Sequence, residues 1–282
     1  MPKGICKLCV QEKDLVRSHL MAAALYDYCR QGEFRPLMLG RGMILPTDRQ
    51  TQAYLLCEVC EDVLNKKGES WANSKFATMD KKFPLYDLLT QVTPVPIDDG
   101  FSLYWAGDNS EIKVAMLTHF AMGIFWKASV HSWRGDEKEP RIELGPYSES
   151  IRKWLRSEAS FPKNVSLEVW VETPDRAQIA MSDPYRAKAV GYRRYFAHVP
   201  GVSFVISIGK QCPAEEQEFC FYRNPRHPMW VSKQRTDEVE QIFATYHRKA
   251  RKTRAYLESK KRREQMLREE EQQGATNAGL GP

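Results

Sequence analysis

Two stretches in the second half of the chain alternate between apolar and polar residues. Residues 165–171 read Val-Ser-Leu-Glu-Val-Trp-Val, and residues 202–208 have an apolar side chain at every second position. A period of two is typical of a strand with one buried face. Pro200 and Gly201 separate the second stretch from residues 192–199. Proline fixes φ and glycine accepts a positive φ, so the pattern predicts an antiparallel sheet with a hairpin at this pair.

Residues 111–133 carry apolar side chains on every side, as in a helix at the centre of a core. The longest apolar run within it, residues 114–126, has 13 residues, whereas a helix that crosses a bilayer needs about 20. We therefore expect no membrane partner. We interpret His119 and His131 as packed core residues of this helix. A second, shorter helix is predicted at residues 148–157.

The pattern divides the chain into three parts. Residues 1–80 hold two pairs of cysteines, and residues 81–236 hold the helices followed by the strands. Residues 81–100 contain three prolines and end in Asp-Asp-Gly, which suits a connection. In residues 237–282, apolar positions at three- and four-residue steps predict a helix to about residue 273 and a frayed tail. Helices followed by antiparallel strands indicate an α+β fold.

Four of the seven cysteines form two Cys-x-x-Cys pairs, which are the most specific signal in the chain. Each pair can form a tight knuckle in which two thiolates reach one ion, and two knuckles complete the tetrahedral shell of a structural Zn²⁺. The predicted ligands are Cys6, Cys9, Cys57 and Cys60.

The other three cysteines show no metal-ligand spacing. Cys29 lies on the apolar face of a predicted helix, and Cys212 and Cys220 lie near the predicted sheet. We interpret all three as buried thiols.

The surroundings of the two pairs indicate a finger fold. A predicted strand at residues 13–20 follows the first pair, and a predicted helix at residues 61–67 begins at the second pair. A knuckle, a hairpin and a second knuckle at the start of a helix make up a treble-clef zinc finger. Two acidic residues open the helix, where its dipole favours negative charge.

The motifs Cys6-Lys-Leu-Cys9, Ser18-His19-Leu20 and Leu56-Cys57-Glu-Val-Cys60-Glu61 resemble those of the zinc-binding HNH endonucleases, over about 65 residues. The resemblance implies that His19 is the general base, that Glu61 is a ligand of a catalytic Mg²⁺ or Mn²⁺, and that phosphates are contacted by Arg17, Lys66 and Lys67. A neutral imidazole suits the first role. It also implies an association with phage defence or mobile elements.

Three features depart from the HNH pattern. Ser18 stands where the family has a metal-binding Asp or His, and residues 51–54 lack the usual Asn. Glu61 stands where the family often has Asn or His. A competing hypothesis is therefore a catalytically inactive zinc-finger module that docks on nucleic acid or a partner protein.

The charge of the chain is concentrated near its end. Residues 247–263 hold nine Lys/Arg and one Glu, a net charge of +8, within a total of +6. Such a segment can bind phosphates, or it can be a solvated helix end. The predicted contacts, with DNA favoured over RNA, are Arg248, Lys249, Arg251, Lys252 and Arg254.

A secretory signal needs an apolar run of about seven or more residues. The N-terminal sequence Met-Pro-Lys-Gly-Ile-Cys does not begin such a run. We therefore expect a cytoplasmic protein. A second basic stretch, residues 185–195, interleaves cations with aromatic residues. We interpret it as the polar face of a strand rather than as a nucleic-acid contact.

Overall fold

The structure is a computed structural model. It describes residues 1–29, 37–40, 43–46, 50–78, 80, 82–97, 100–133, 142–175 and 181–232, together with residues 257, 261, 265 and 268. Residues 1–29 and 50–234 form one unit, and residues 30–49 and 235–282 form a second. The three-part division expected from the sequence stays a prediction.

The first unit contains two sheets. The small sheet has the order β1-β2-β5, with strands Lys3–Ile5, Glu12–His19 and Gln52–Cys57, all antiparallel. The strands of the large sheet are β6 Val95–Pro96, β7 Phe101–Trp105, β8 Val165–Glu172, β9 Ser182–Ala187, β10 Arg193–Val199, β11 Val202–Ile208 and β12 Pro228–Ser232. Their order in the sheet is β6-β7-β12-β8-β11-β10-β9.

The helices of this unit are α1 Ala23–Cys29, α2 Glu58–Leu64, α3 Ser70–Phe76, α4 Pro84–Leu89, α5 Val114–Val130, α6 Tyr147–Leu155 and α7 Ala214–Glu218. A π-helical segment, Asn65–Glu69, joins α2 to α3, so residues 58–76 are helical throughout. A 3₁₀ turn occupies Ala106–Asp108. None of the described helices has both the length and the apolarity needed to cross a bilayer.

Several predicted elements are confirmed. α5 is buried on all sides over most of its length. Its apolar residues pack against the helical residues 58–76, against α6 and against the large sheet. β10 and β11 form the predicted hairpin, and Gly201 has the positive φ that the turn requires. The mixed α+β class is confirmed as well.

The large sheet differs from its prediction in one pairing. β12 runs parallel to β8, whereas all other neighbours in this sheet are antiparallel. The chain leaves β11, forms α7 and re-enters the sheet between β7 and β8, so a strand added late lands in the middle of the sheet. An alternating pattern predicts strands but does not reveal this long-range order.

One core joins the elements of the first unit. The rings of Phe76 in α3, Phe120 in α5 and Phe204 in β11 have centroids 5.0 to 6.0 Å apart. Gly68 in the π segment makes a close approach to α5, because a Cβ there would lie 2.7 Å from the Phe120 nitrogen. The helix that follows the second cysteine pair therefore packs directly on α5.

The second unit contains one described hairpin, β3 Leu37–Gly40 paired antiparallel with β4 Met43–Pro46. The predicted C-terminal helix lies outside the described residues, apart from Leu257, Lys261, Gln265 and Arg268, which are helical and exposed. That helix stays a prediction.

Candidate metal centre and the adjoining groove

The structure brings the four predicted zinc ligands together. Cys6 and Cys9 lie in the turn between β1 and β2, which the Val10 amide closes by donating to the Cys6 carbonyl at 2.8 Å. Cys57 is the last residue of β5, and Cys60 lies in the first turn of α2. Their four Sγ atoms all lie within 4.8 Å of one another. The prediction that these residues form one group is confirmed.

The group fits a structural zinc ion. A Zn–S bond of about 2.3 Å places the sulfurs of a tetrahedral site about 3.8 Å apart, so a small contraction would close the shell. Cys6, Cys57 and Cys60 are buried and Cys9 is half-buried. Four sulfurs and no oxygen or nitrogen ligand are typical of a site that holds the fold together. The Cys57 amide donates to the Cys6 Sγ at 3.3 Å, as a thiolate ligand requires.

Protonation within the group is uneven. A hydrogen bond from Cys60, aided by the amides of Cys9, Cys57 and Leu8, lowers the pKa of the Cys6 thiol to about 4. The same hydrogen bond and burial raise the pKa of Cys60. A metal ion takes the place of the protons that the thiols share, so binding releases protons.

The remaining cysteines lie outside this group. Burial raises the pKa of the Cys29 thiol to about 12 and that of Cys212 to about 11. Both are therefore protonated at neutral pH, and Cys220 is completely buried. The prediction of a buried thiol is therefore confirmed for Cys220 and wrong for Cys29 and Cys212, which are half-buried. None of the three belongs to the four-cysteine group.

A groove of about 620 Å³ runs beside the metal centre, between β2 and the helical residues 58–76. It is lined by Val16, Arg17, Glu58, Val59, Glu61, Asp62, Asn65 and Glu69. Four of these residues are acidic and one is basic. The lining of the groove is therefore mainly acidic.

The π-helical segment explains why acidic residues 61 and 69 share one face. In an α-helix, a step of four residues overshoots a full turn, since a turn has 3.6 residues. In a π turn, the same step falls short of a full turn, because the hydrogen bond spans five residues. The α step from Glu61 to Asn65 and the π step from Asn65 to Glu69 therefore offset each other.

Glu61 is the predicted site residue with the most unusual surroundings. Burial raises the pKa of its carboxyl group, while the Lys127 ammonium and a hydrogen bond from the Ser18 hydroxyl oppose this shift. Its Oε1 atom is buried and has no hydrogen-bond partner. Ser18 also accepts a hydrogen bond from the Leu56 amide at 3.2 Å, so it fixes the corner between β2 and β5.

His19 is the last residue of β2 and is half-exposed. Its backbone carbonyl accepts a hydrogen bond from Lys127 Nζ at 2.8 Å. Among the described contacts, none joins the His19 ring to the Glu61 carboxylate. The catalytic roles of His19 and Glu61 therefore stay predictions.

Lys127 is a site residue that sequence analysis missed. It belongs to α5, is 1% exposed, and its ammonium also contacts Glu69 Oε1 at 3.0 Å. Glu69 was missed too. The signal for Lys127 was present, because it is the only charged residue in the apolar helix Val114–Val130. A buried lysine needs a partner, but the sequence does not name that partner.

The predicted phosphate contacts have varied surroundings. The Arg17 guanidinium lies 5.8 Å from the Tyr54 ring centroid, Lys66 pairs with Asp62 at 2.8 Å, and Lys67 donates to Ser157 Oγ at 2.7 Å. The five cations of residues 248–254 lie outside the described residues. The nucleic-acid contacts stay predictions.

The four cysteines are the one group of three or more His, Cys, Asp or Glu side chains with gathered ligand atoms in the described part of the chain. The chain matches no protein family model, no curated protein and no solved structure. The resemblance to HNH endonucleases therefore rests on the residues quoted above.

Proposed function

We propose that this protein is a zinc-stabilised, HNH-like nucleic-acid-binding protein that cleaves phosphodiesters with a divalent ion in the acidic groove. The observation that carries the proposal is the groove itself. It adjoins the four-cysteine group, in the position between hairpin and helix where HNH enzymes hold their ion. The knuckle, hairpin and helix support a treble-clef arrangement of residues 1–76.

The charge of the groove determines how nucleic acid could bind there. Lys66 pairs with Asp62, and Lys127 pairs with Glu69. The carboxylates of Glu58 and Glu61 would still repel a phosphate, since Arg17 is the one basic residue that lines the groove. A Mg²⁺ or Mn²⁺ ion reconciles the two sides, because it accepts oxygen ligands from both protein and phosphate. The unpartnered Oε1 of Glu61 supports this residue as a ligand. A bound ion would stabilise the charge that develops on the phosphoryl oxygens.

His19 would act as the general base. It ends β2, next to Ser18 and two residues from Arg17, which lines the groove. The Lys127 ammonium donates a hydrogen bond to the His19 backbone carbonyl, which restrains the backbone that carries the imidazole.

Nicking of supercoiled plasmid in Mg²⁺ or Mn²⁺ tests the proposal. General-base catalysis contributes typically about 10²- to 10⁴-fold, so His19→Ala should lower the rate by at least about 100-fold. Glu61→Gln should lower it as well, and Glu58→Gln is the matched control in the same groove. Equal nicking by wild type and His19→Ala, or no nicking by either, would contradict a catalytic role.

A second function is favoured by the position of Lys127. Its ammonium already pairs with Glu69 and opposes the rise that burial causes in the pKa of Glu61, as a metal ion would. In this alternative, the finger is a scaffold, and nucleic acid binds to the basic segment 247–263. Truncation after residue 246 should then weaken DNA and RNA binding and make the salt dependence less steep. If nucleic-acid affinity and its salt dependence do not change, the segment does not bind nucleic acid.

A further inference from the structure

Arg152 of α6 reaches the first cysteine knuckle from 144 residues away in the sequence. Its Nη1 donates to the Leu8 carbonyl at 2.6 Å, and its side chain is 13% exposed. Leu8 lies between Cys6 and Cys9 and is completely buried. Helix α6 therefore supplies a charged hydrogen bond to the turn that presents two of the four sulfurs.

The bonded carbonyl belongs to the peptide that joins Leu8 to the ligand Cys9. The Leu8 carbonyl and the Cys9 amide lie in the same planar unit, so a hydrogen bond to this carbonyl fixes the plane from which the Cys9 residue continues. The Val10 amide closes the same turn on the Cys6 carbonyl at 2.8 Å. A charged donor on the carbonyl also polarises the peptide, so its N–H becomes a stronger donor.

The charge of Arg152 also suits the centre. Four thiolates around Zn²⁺ leave a net double negative charge, which a cation bonded to the backbone of the knuckle would offset in part. Glu149 binds the other side of the guanidinium at 2.7 and 2.9 Å, which fixes its orientation. Glu149 is 56% exposed, so water screens its charge more than that of the buried sulfurs.

We propose that Arg152 is a positioning residue of the metal centre, which raises zinc affinity by orienting and polarising the Leu8–Cys9 peptide. The inference rests on zinc occupancy of the four cysteines and does not depend on nucleic-acid cleavage. Zinc affinity in residues 6–60 is then set partly by a residue of α6.

The test is a competition between the full-length protein and a chromophoric chelator for Zn²⁺. Loss of a group that supports metal ligands costs about 10- to 100-fold in affinity, so Arg152→Met should bind zinc at least about 10-fold more weakly. Arg152→Lys keeps the positive charge and a hydrogen-bond donor, so its zinc affinity should lie between those of wild type and Arg152→Met. With Co²⁺ as probe, the thiolate charge-transfer band of Arg152→Met should move to longer wavelength, because the thiolates lose a nearby stabilising positive charge.

Two matched controls separate this role from general stability. Arg223→Met removes another half-buried arginine that donates to two backbone carbonyls, at 2.9 and 2.7 Å, far from the knuckle along the chain. Lys153→Met removes an exposed charge from the same helix. Both should keep wild-type zinc affinity and an unmoved Co²⁺ band.

Three results would decide against the inference. Wild-type affinity in Arg152→Met and Arg152→Lys would overturn it, and so would an equal loss in Arg223→Met. A wild-type protein that takes up no zinc would overturn the metal centre itself, whatever the plasmid assay shows.

Discussion

The two sheets of the first unit are stabilised by different interactions. In the large sheet, β8, β10 and β11 are buried along most of their length, and apolar packing against α5 accounts for the fold. In the small sheet, two of the three residues of β1 and four of the eight residues of β2 are exposed. There the sulfurs and two cations from elsewhere in the unit, Lys127 and Arg152, add to the contacts of a few buried leucines. A small segment with little core of its own depends on specific polar contacts.

Metal removal should show this difference most strongly. Zinc binding contributes about 10–16 kcal/mol to the folding of isolated zinc-finger peptides. Cys57→Ser, or treatment with a chelator, should therefore abolish amide protection in β1, β2 and β5 while β8, β10 and β11 stay protected. Hydrogen exchange with mass spectrometry measures both regions together. Equal loss of protection in the two sheets would contradict separate stabilisation.

A substitution that creates a cavity in the core of the large sheet should lower stability and leave the metal centre intact. Ile206 of β11 is completely buried, so Ile206→Ala should lower the free energy of unfolding by about 2–5 kcal/mol. Zinc content of the folded protein should not change. Denaturant unfolding and elemental analysis measure the two quantities, and a parallel loss of zinc would show that the sheets are not independent.

Removal of the Lys127 ammonium should have an intermediate effect. Breaking a fully buried ion pair costs about 3–5 kcal/mol, and the partial exposure of Glu69 reduces this to about 2 kcal/mol for Lys127→Met. In the double variant Lys127→Met/Glu69→Gln, no carboxylate is left without its cation at this pair. The double variant should therefore be less destabilised than the sum of the singles, and strict additivity would argue against the pair.

The smallest expected effect is a pH dependence in the large sheet. Burial raises the pKa of Glu168, and its partners Arg194 and Trp170 oppose the shift only in part. A raised carboxyl pKa adds stability at low pH, and this contribution is lost as pH rises from the unfolded value through the folded one. Relative to wild type, Glu168→Gln should gain stability over that interval. Urea unfolding at several pH values measures the difference, and a constant offset would contradict it.

Sequence patterns predicted what depends on neighbouring residues. The two Cys-x-x-Cys pairs, the alternation in residues 202–208 and the apolar helix 114–130 each reveal an element by local spacing. The four-cysteine group is also predictable, because metal chemistry demands that distant pairs meet.

What the sequence did not reveal depends on tertiary placement. The parallel pairing of β12 with β8, the contact of Lys127 with Glu69, and that of Arg152 with Leu8 all join residues more than 50 positions apart. Each of these contacts depends on the packing of distant elements, which no short sequence pattern predicts. The π turn at residues 65–69 is similar, because close packing of Gly68 on α5 accompanies it.

The distance of Arg152 along the chain has a consequence for synthesis. The last sulfur ligand, Cys60, precedes Arg152 by 92 residues. At about 5–20 residues per second, a ribosome needs roughly 5–20 s to cover that distance. During this interval the nascent chain has all four thiols but not the guanidinium, so we expect newly bound metal to exchange readily. The metal centre would reach its full zinc affinity only after α6 has left the ribosome and packed against the first cysteine knuckle.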